Sequence, residues 1–219
     1  MARTITVKGT GAIDAKADYI TITLQLNTVR QTYQSTMQAS ERRVQALQQA
    51  LAGIGFKKED LKTIRFSIDT KTDRYKDPDG LIRSVMTGYE IDTKLTLSFD
   101  FEPARLAKTL AVISACGANP ELSIAFTVKN PEAVKRALLS QVSRDAAAKA
   151  QALCCSAGGR LGNLMSIEYN WGELVIRSNT SFEYPSPCLA ITEAAPSPAE
   201  FTPEDIHLSD TAVFVWEIK

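Results

Sequence analysis

The sequence predicts an α+β fold, a mainly antiparallel sheet with its helices packed on one face. Three observations predict it. Stretches that alternate apolar and polar residues come in neighbouring pairs, as the arms of hairpins do. Helical periodicity interrupts these pairs three times. One of the interruptions, Asn130–Gly159, is a long helix with both ends marked, spanning about residues 131–157. Asn130 suits the N-cap, Pro131 the first helical position and Glu132 the positive end of the macrodipole. Gly158 and Gly159 can take the left-handed conformation that closes a helix. Val134, Leu138, Val142, Ala146, Ala150, Leu153 and Ala157 recur at spacings of three and four and form an apolar stripe. About 26 residues at ~1.5 Å each give a rod of roughly 40 Å, enough to cross a whole sheet.

In chain order, Arg3–Lys8 alternates with Ile5 and Val7 on one face and reads as a short strand, and Gly9–Asp18 reads as a turn-rich connection. Tyr19–Val29 places Ile20, Ile22, Leu24 and Leu26 on one face and Thr21, Thr23, Gln25 and Asn27 on the other. That is a strand with one solvated side. Ser35–Ala52 is helical, with Met37, Val44, Leu47 and Leu51 as its buried seam and Gly53 and Gly55 as its stop. Strands at Ile64–Tyr75 and Thr87–Asp100 flank the turn signal KDPDG and form a hairpin. Glu102–Ala115 is a second helix, capped by Glu102, with Pro103 at its start and Leu106, Leu110 and Ile113 inward. Leu122–Val128 and, after the long helix, Leu164–Trp171 are strands. Residues 177–203 hold five of the nine prolines and no sustained period, so they read as an exposed Pro-rich loop or arm. Ile206–Ile218 is apolar on both faces and reads as a central or doubly covered strand.

Composition narrows the function. Of 219 residues, 44% are hydrophobic and 23% charged, as in ordinary globular proteins, and the formal net charge is zero. Such a chain lacks the basic stripe of a nucleic-acid binder. No apolar run approaches the roughly 18 residues a membrane helix needs. The first twenty residues lack the order of a secretory signal, so the protein reads as cytoplasmic; the alternative is a periplasmic or envelope protein whose signal has been removed.

The residues that could carry chemistry are sparse. His207 is the only histidine; it lies two residues from Asp205, beside no nucleophile elbow, and reads as structural or superficial. Asp69, Asp73, Asp77 and Asp79 invite a calcium loop. Aligning Gly80 with the loop glycine, however, puts Tyr75 and Met86 where acidic ligands belong, so the group reads as a solvated hairpin tip. Gly9 and Gly11 lack phosphate-loop spacing and read as a sharp turn out of a strand; Gly159 and Gly162 read as the turn after the long helix. The four cysteines, Cys116, Cys154, Cys155 and Cys188, contain no CxxC. Cys154 reads as a buried small hydrophobe, with a redox-active Cys154 or Cys155, or a metal ligand, as the alternative.

Taken in order, several short motifs resemble the SIMPL-domain family, also called DUF541. They are Val7, Gly9, Gly11, Ala17 and Asp18 at the start, then Gly53, Ile54, Asp60 and Thr63. The run Asp145, Ala146, Lys149, Ala150, Ala152, Gly159, Leu161, Gly162 and Ile167 follows, and the close is PEDIHLSDTAVFVWEI. The resemblance covers nearly the whole chain. It departs from many bacterial members in lacking a signal peptide and in carrying Ala17 where many have proline. It implies an α+β fold and, as in some members, assembly into ring-like homo-oligomers. Members include periplasmic or envelope-associated bacterial proteins, some linked to oxidative-stress tolerance, and an animal protein that binds a signalling kinase. No agreed reaction belongs to the family, so no catalytic residue carries over. The expectation is therefore a single domain over 1–219, divisible at most into two subdomains. It is non-enzymatic, with no cofactor or metal, and acts through homo-oligomer assembly and an unidentified protein partner, with Ser178–Pro203 in a subunit contact. The alternatives are a carboxylate-based hydrolase and a thiol-based redox-responsive protein.

Overall fold

The computed structural model describes residues 3–77, 79–169, 174–184 and 202–219, of which 181–184 are described by their backbone. The chain divides into two compact units, one from Met1–Asp18, Thr127–Asn179 and Pro203–Lys219, the other from Tyr19–Phe126 and Thr180–Thr202. Both combine antiparallel pairing with packed helices, so the α+β class holds. Among the described residues no helix is long and apolar enough to cross a membrane.

The first unit is a three-stranded sheet, β1 (Thr4–Ala15), β8 (Ile206–Ile218) and β6 (Leu161–Tyr169) in that spatial order, with the long helix α3 (Pro131–Ser156). The doubly apolar strand β8 is central. β1 runs antiparallel to it without a break, from Thr4 opposite Glu217 to Ala15 opposite Ile206. The expected connection at Gly9–Asp18 is therefore mostly strand, and Gly9 and Gly11 do not turn the chain. Their absent side chains make room for α3: a Cβ on Gly9 would stand 2.3 Å from the carbonyl oxygen of Val142, and one on Gly11 would stand 2.9 Å from Val142 Cγ2. Glycine is what lets helix backbone rest on strand backbone.

α3 begins as its sequence dictates, with the Asn130 side chain accepting from the Ala133 N–H at 3.0 Å. It ends where Gly158 takes φ +77° and the Gly159 N–H donates to the Cys154 carbonyl at 2.9 Å. Its buried seam is Leu138, Val142, Ala146, Ala150 and Cys154. Spacings of four advance about 40° each around a helix, so the seam winds and the helix crosses the strands obliquely. That is why Cys154 is buried, whereas Leu153, expected on the stripe, is 55% exposed. Val7, Ala212, Phe214 and Trp216 complete this core, with the rings of Phe214 and Trp216 stacked 5.4 Å apart. Gly162 also corrects its reading: it lies within β6, where a Cβ would stand 2.9 Å from the Glu217 carbonyl oxygen.

β1 is an edge strand, yet α3 reaches round that edge. The Thr10 N–H donates to Asp145 Oδ2 at 2.7 Å and the Ala12 N–H to Gln141 Oε1 at 3.1 Å. Lys149 Nζ donates to the same Asp145 oxygen at 2.6 Å and to the Lys8 carbonyl at 3.3 Å. These are the groups a further strand would pair with, so the edge is closed by helix side chains. The Lys149 ammonium and the Thr10 N–H together hold the Asp145 carboxyl below the usual carboxylate range.

The second unit is a five-stranded sheet in the order β3 (Leu61–Lys76), β4 (Ile82–Asp100), β2 (Tyr19–Arg30), β5 (Glu121–Thr127) and β7 (Ser181–Tyr184), with helices α1 (Tyr33–Ala52) and α2 (Pro103–Ala115). β2 and β4 pair antiparallel from Tyr19 opposite Asp100 to Arg30 opposite Tyr89. Ile20, Ile22, Leu24 and Leu26 of β2 and Ile91, Leu95 and Leu97 of β4 are buried, as are Leu47 and Leu51 of α1 and Leu106 and Ile113 of α2. The expected α1 seam shifts at its first turns, where Thr36 and Ser40 are buried and Met37 and Val44 are half-buried. Small hydroxyls bring the helix close there; the Ser40 and Thr93 hydroxyls meet at 3.4 Å. Glu102 occupies the N-cap of α2 without a side-chain hydrogen bond, and Leu110 is only half-buried. Arg43 ties α1 to its surroundings, donating to Thr28 Oγ1 at 2.9 Å and to the Ala118 and Asn119 carbonyls at 2.9 and 3.1 Å.

Candidate interaction surfaces

The hairpin of β3 and β4 is longer than the sheet it belongs to. β2 ends at Arg30 opposite Tyr89, but β3 and β4 stay paired from Lys71 opposite Gly88 out to Lys76 opposite Ile82. Gly88 marks the departure: a Cβ there would stand 2.3 Å from the Arg30 carbonyl oxygen. β3 starts at Leu61, three residues before the expected Ile64, after a short 3-10 turn at Lys58–Asp60. Beyond Gly88 the ribbon has two strands, and among the described residues nothing packs on either face. Tyr75 is 50%, Ile82 70% and Val85 48% exposed, and Leu81 and Met86 are exposed with them.

The tip is organised by Asp77. Its Oδ1 accepts from the Asp79 and Leu81 N–H groups, both at 3.0 Å, and its Oδ2 meets Arg83 Nε at 2.6 Å. Gly80 supplies φ +78°. Of the other acids considered for calcium, Asp69 lies opposite Glu90 and Asp73 opposite Val85 along β3, and Asp79 sits in the turn itself. Asp77 is thus spent on a turn.

His207 pairs with Asp14, its cross-strand neighbour, rather than with Asp205. Nδ1 lies 2.6 Å from Asp14 Oδ1, and the side chains are 62% and 73% exposed. The Asp14 carboxylate raises the imidazole above its ordinary value, and Glu204 and Asp205 add to the shift. A raised folded value stabilises below the ordinary histidine pKa, and the contribution is lost as pH rises through the folded one. Tyr169 Oη donates to Asp210 Oδ2 at 2.7 Å. Cys154 is buried, Cys155 exposed with Gln151 Nε2 3.2 Å from its sulfur, and Cys116 half-buried. Cys188 lies outside the described residues. So does most of the Pro-rich 177–203 stretch; its described part contributes β7, a strand the sequence reading did not anticipate. A shallow depression of about 250 Å³ beside α1 is lined by Gln45, Gln48, Gln49, Ala52 and Lys58, without a carboxylate among them.

Fold and residues together define a small α+β protein with a β-ribbon that the other described residues leave uncovered. Comparison with known proteins identifies the family: the SIMPL family, described as proteins of unknown function (DUF541), matches residues 5–216, and the chain belongs to it. Among curated relatives, the 26 kDa periplasmic immunogenic proteins of Brucella melitensis and Brucella abortus are each 27% identical over 163 residues. The match takes in 74% of this chain, and the chain spans 65% of the length of those relatives. A solved structure of an uncharacterized conserved protein from Listeria innocua aligns with 96% of this chain and 92% of its own at 8% identity. Its TM-score is 0.21, too low to argue from.

Proposed function

We propose that this SIMPL-domain protein acts without catalysis, by assembling with copies of itself and by binding a protein partner in the bacterial periplasm. The observation that carries the reading is the ribbon beyond Gly88, where Tyr75, Leu81, Ile82, Val85 and Met86 are exposed on two strands that nothing among the described residues covers. A two-stranded ribbon is marginal by itself in water, and contiguous exposed apolar residues mark interaction sites. Three charged side chains of the described residues are engaged structurally: Asp145 and Lys149 close an edge, and Asp77 closes a turn. The two curated relatives, which are named periplasmic, support this compartment over the cytoplasmic expectation.

The test is the native mass by light scattering in reducing buffer, for the wild-type chain and for a variant with Ile82→Asp and Val85→Asp. The wild type should be a closed oligomer. The variant should lose mass while keeping its far-UV circular dichroism. A wild-type monomer of 23.9 kDa would refute the assembly reading, and fractionation of expressing cells would decide the compartment.

A further inference from the structure

We infer that the outer edge of β3 pairs antiparallel with β3 of a second copy, about a two-fold axis at Thr70. The inference rests on the assembly reading and specifies its interface. β3 is the edge strand of the five-stranded sheet, and it is exposed or half-exposed from Lys62 to Lys76. Its irregularities do not interrupt the edge. The shift at Lys71/Thr72 places the extra residue, Thr87, on β4, and the one at Thr63/Arg65 sets its extra residue, Ile64, near the strand's start. Arg65–Lys76 therefore offers a long, proline-free edge.

Charge fixes the occupant and the register. An isologous contact must be complementary to itself. Centred on Thr70, the strand sets Asp69 opposite the second copy's Lys71, and by symmetry Lys71 opposite Asp69. The same register sets Arg74 opposite Phe66 and Arg65 opposite Tyr75, pairs that suit cation–π contact. No like charges face each other. Centring on Asp69, Lys71 or Asp73 sets identical charges face to face, and centring on Ile68 sets Lys71 against Arg65. Centring on Thr72 shortens the overlap.

The ribbon itself supplies a second reason. Asp69 lies directly opposite Glu90 of its own sheet, and Glu90 is engaged by Asn27 Nδ2. Like charges directly opposite destabilise a strand pair. A lysine arriving on the free side of β3 relieves that repulsion. The product is one continuous sheet running through two copies.

The experiment uses the full chain with Asp69→Lys, with Lys71→Glu, with both together, and with the two single variants mixed. Each single variant should lower the native mass by a factor of about two or more, because each two-fold contact joins two copies. The double variant should restore it. An equimolar mixture of the singles should also restore it, because the two lysines of the Asp69→Lys copy then face the two acids of the Lys71→Glu copy. If the wild type assembles and the single variants keep its mass, or neither combination restores it, the β3 contact is wrong and the assembly reading stands. A monomeric wild type removes both. Far-UV circular dichroism of each variant shows that the fold is retained, and the restoring mixture needs no variant beyond the two singles.

Discussion

The two units seat their helices in opposite ways. In the first, α3 lays a seam of Leu138, Val142, Ala146, Ala150 and Cys154 on Val7, Gly9 and Gly11, so helix backbone approaches strand backbone and polar side chains fasten the flank. In the second, α1 rests on a layer of large aliphatic side chains from β2 and β4, Ile20, Ile22, Leu24, Leu26, Ile91, Leu95 and Leu97. The first seat has no room to add an atom, and the second has none to spare. One fold class therefore fails by two routes, overpacking in one unit and cavity formation in the other.

Gly9→Val should break the first seat with the largest effect. Its Cβ meets a helix carbonyl that cannot rotate away, so the cost should be about 4 kcal/mol or more, above ordinary overpacking. Tryptophan fluorescence in urea reads this unit, because Trp216 lies in its core. A wild-type midpoint would contradict the close approach. Leu24→Ala tests the second seat and should cost about 3 kcal/mol through the cavity it leaves. Amide exchange along β2 should rise, and unchanged protection would show that the layer relaxes into the gap.

The smallest effect probes the fastening rather than the seat. Asp145→Asn should leave the fold intact and remove an acid-sensitive contribution to stability. The wild-type carboxyl is held low in the folded state, so its contribution is present above the ordinary carboxylate value and lost as pH falls through the folded one. Melting temperatures of wild type and variant should therefore converge at acid pH and diverge near neutrality. Parallel curves across that range would mean that Asp145 does not couple to folding.

The same contrast separates what the sequence reveals from what it hides. α3 is readable from its own letters, because Asn130, Pro131 and the closing glycines act within a turn of where they stand. The aliphatic faces of β2 and β4 are readable because alternation is local. Gly9 and Gly11 read as a turn because the reason for them, Val142, lies far along the chain. Asp145 and Lys149 stand out in the family's typical run, but their roles depend on the free edge of β1. His207 finds Asp14 only through the pairing of β1 with β8, and Leu153 and Cys154 exchange places because the helix crosses obliquely. The hairpin is announced by KDPDG, whereas alternation cannot say that among the described residues no third strand or helix covers its outer half. Ser181–Tyr184 is too short, and too deep in proline-rich sequence, to show a period.

The pairing of Thr4 with Glu217 also sets a schedule. About 200 residues separate partners that lie side by side in the first unit's sheet, whereas most of the second unit is one contiguous stretch, Tyr19–Phe126. A chain made from its amino end completes that stretch early, while β1 waits unpaired for β8, the strand that stands between it and β6. Distant contacts of this kind form slowly and leave strand edges exposed in the interval. The newborn chain is thus one unit still short of its last strand, β7, tethered to the first strand of another, and that waiting strand is where a holding chaperone would find its client.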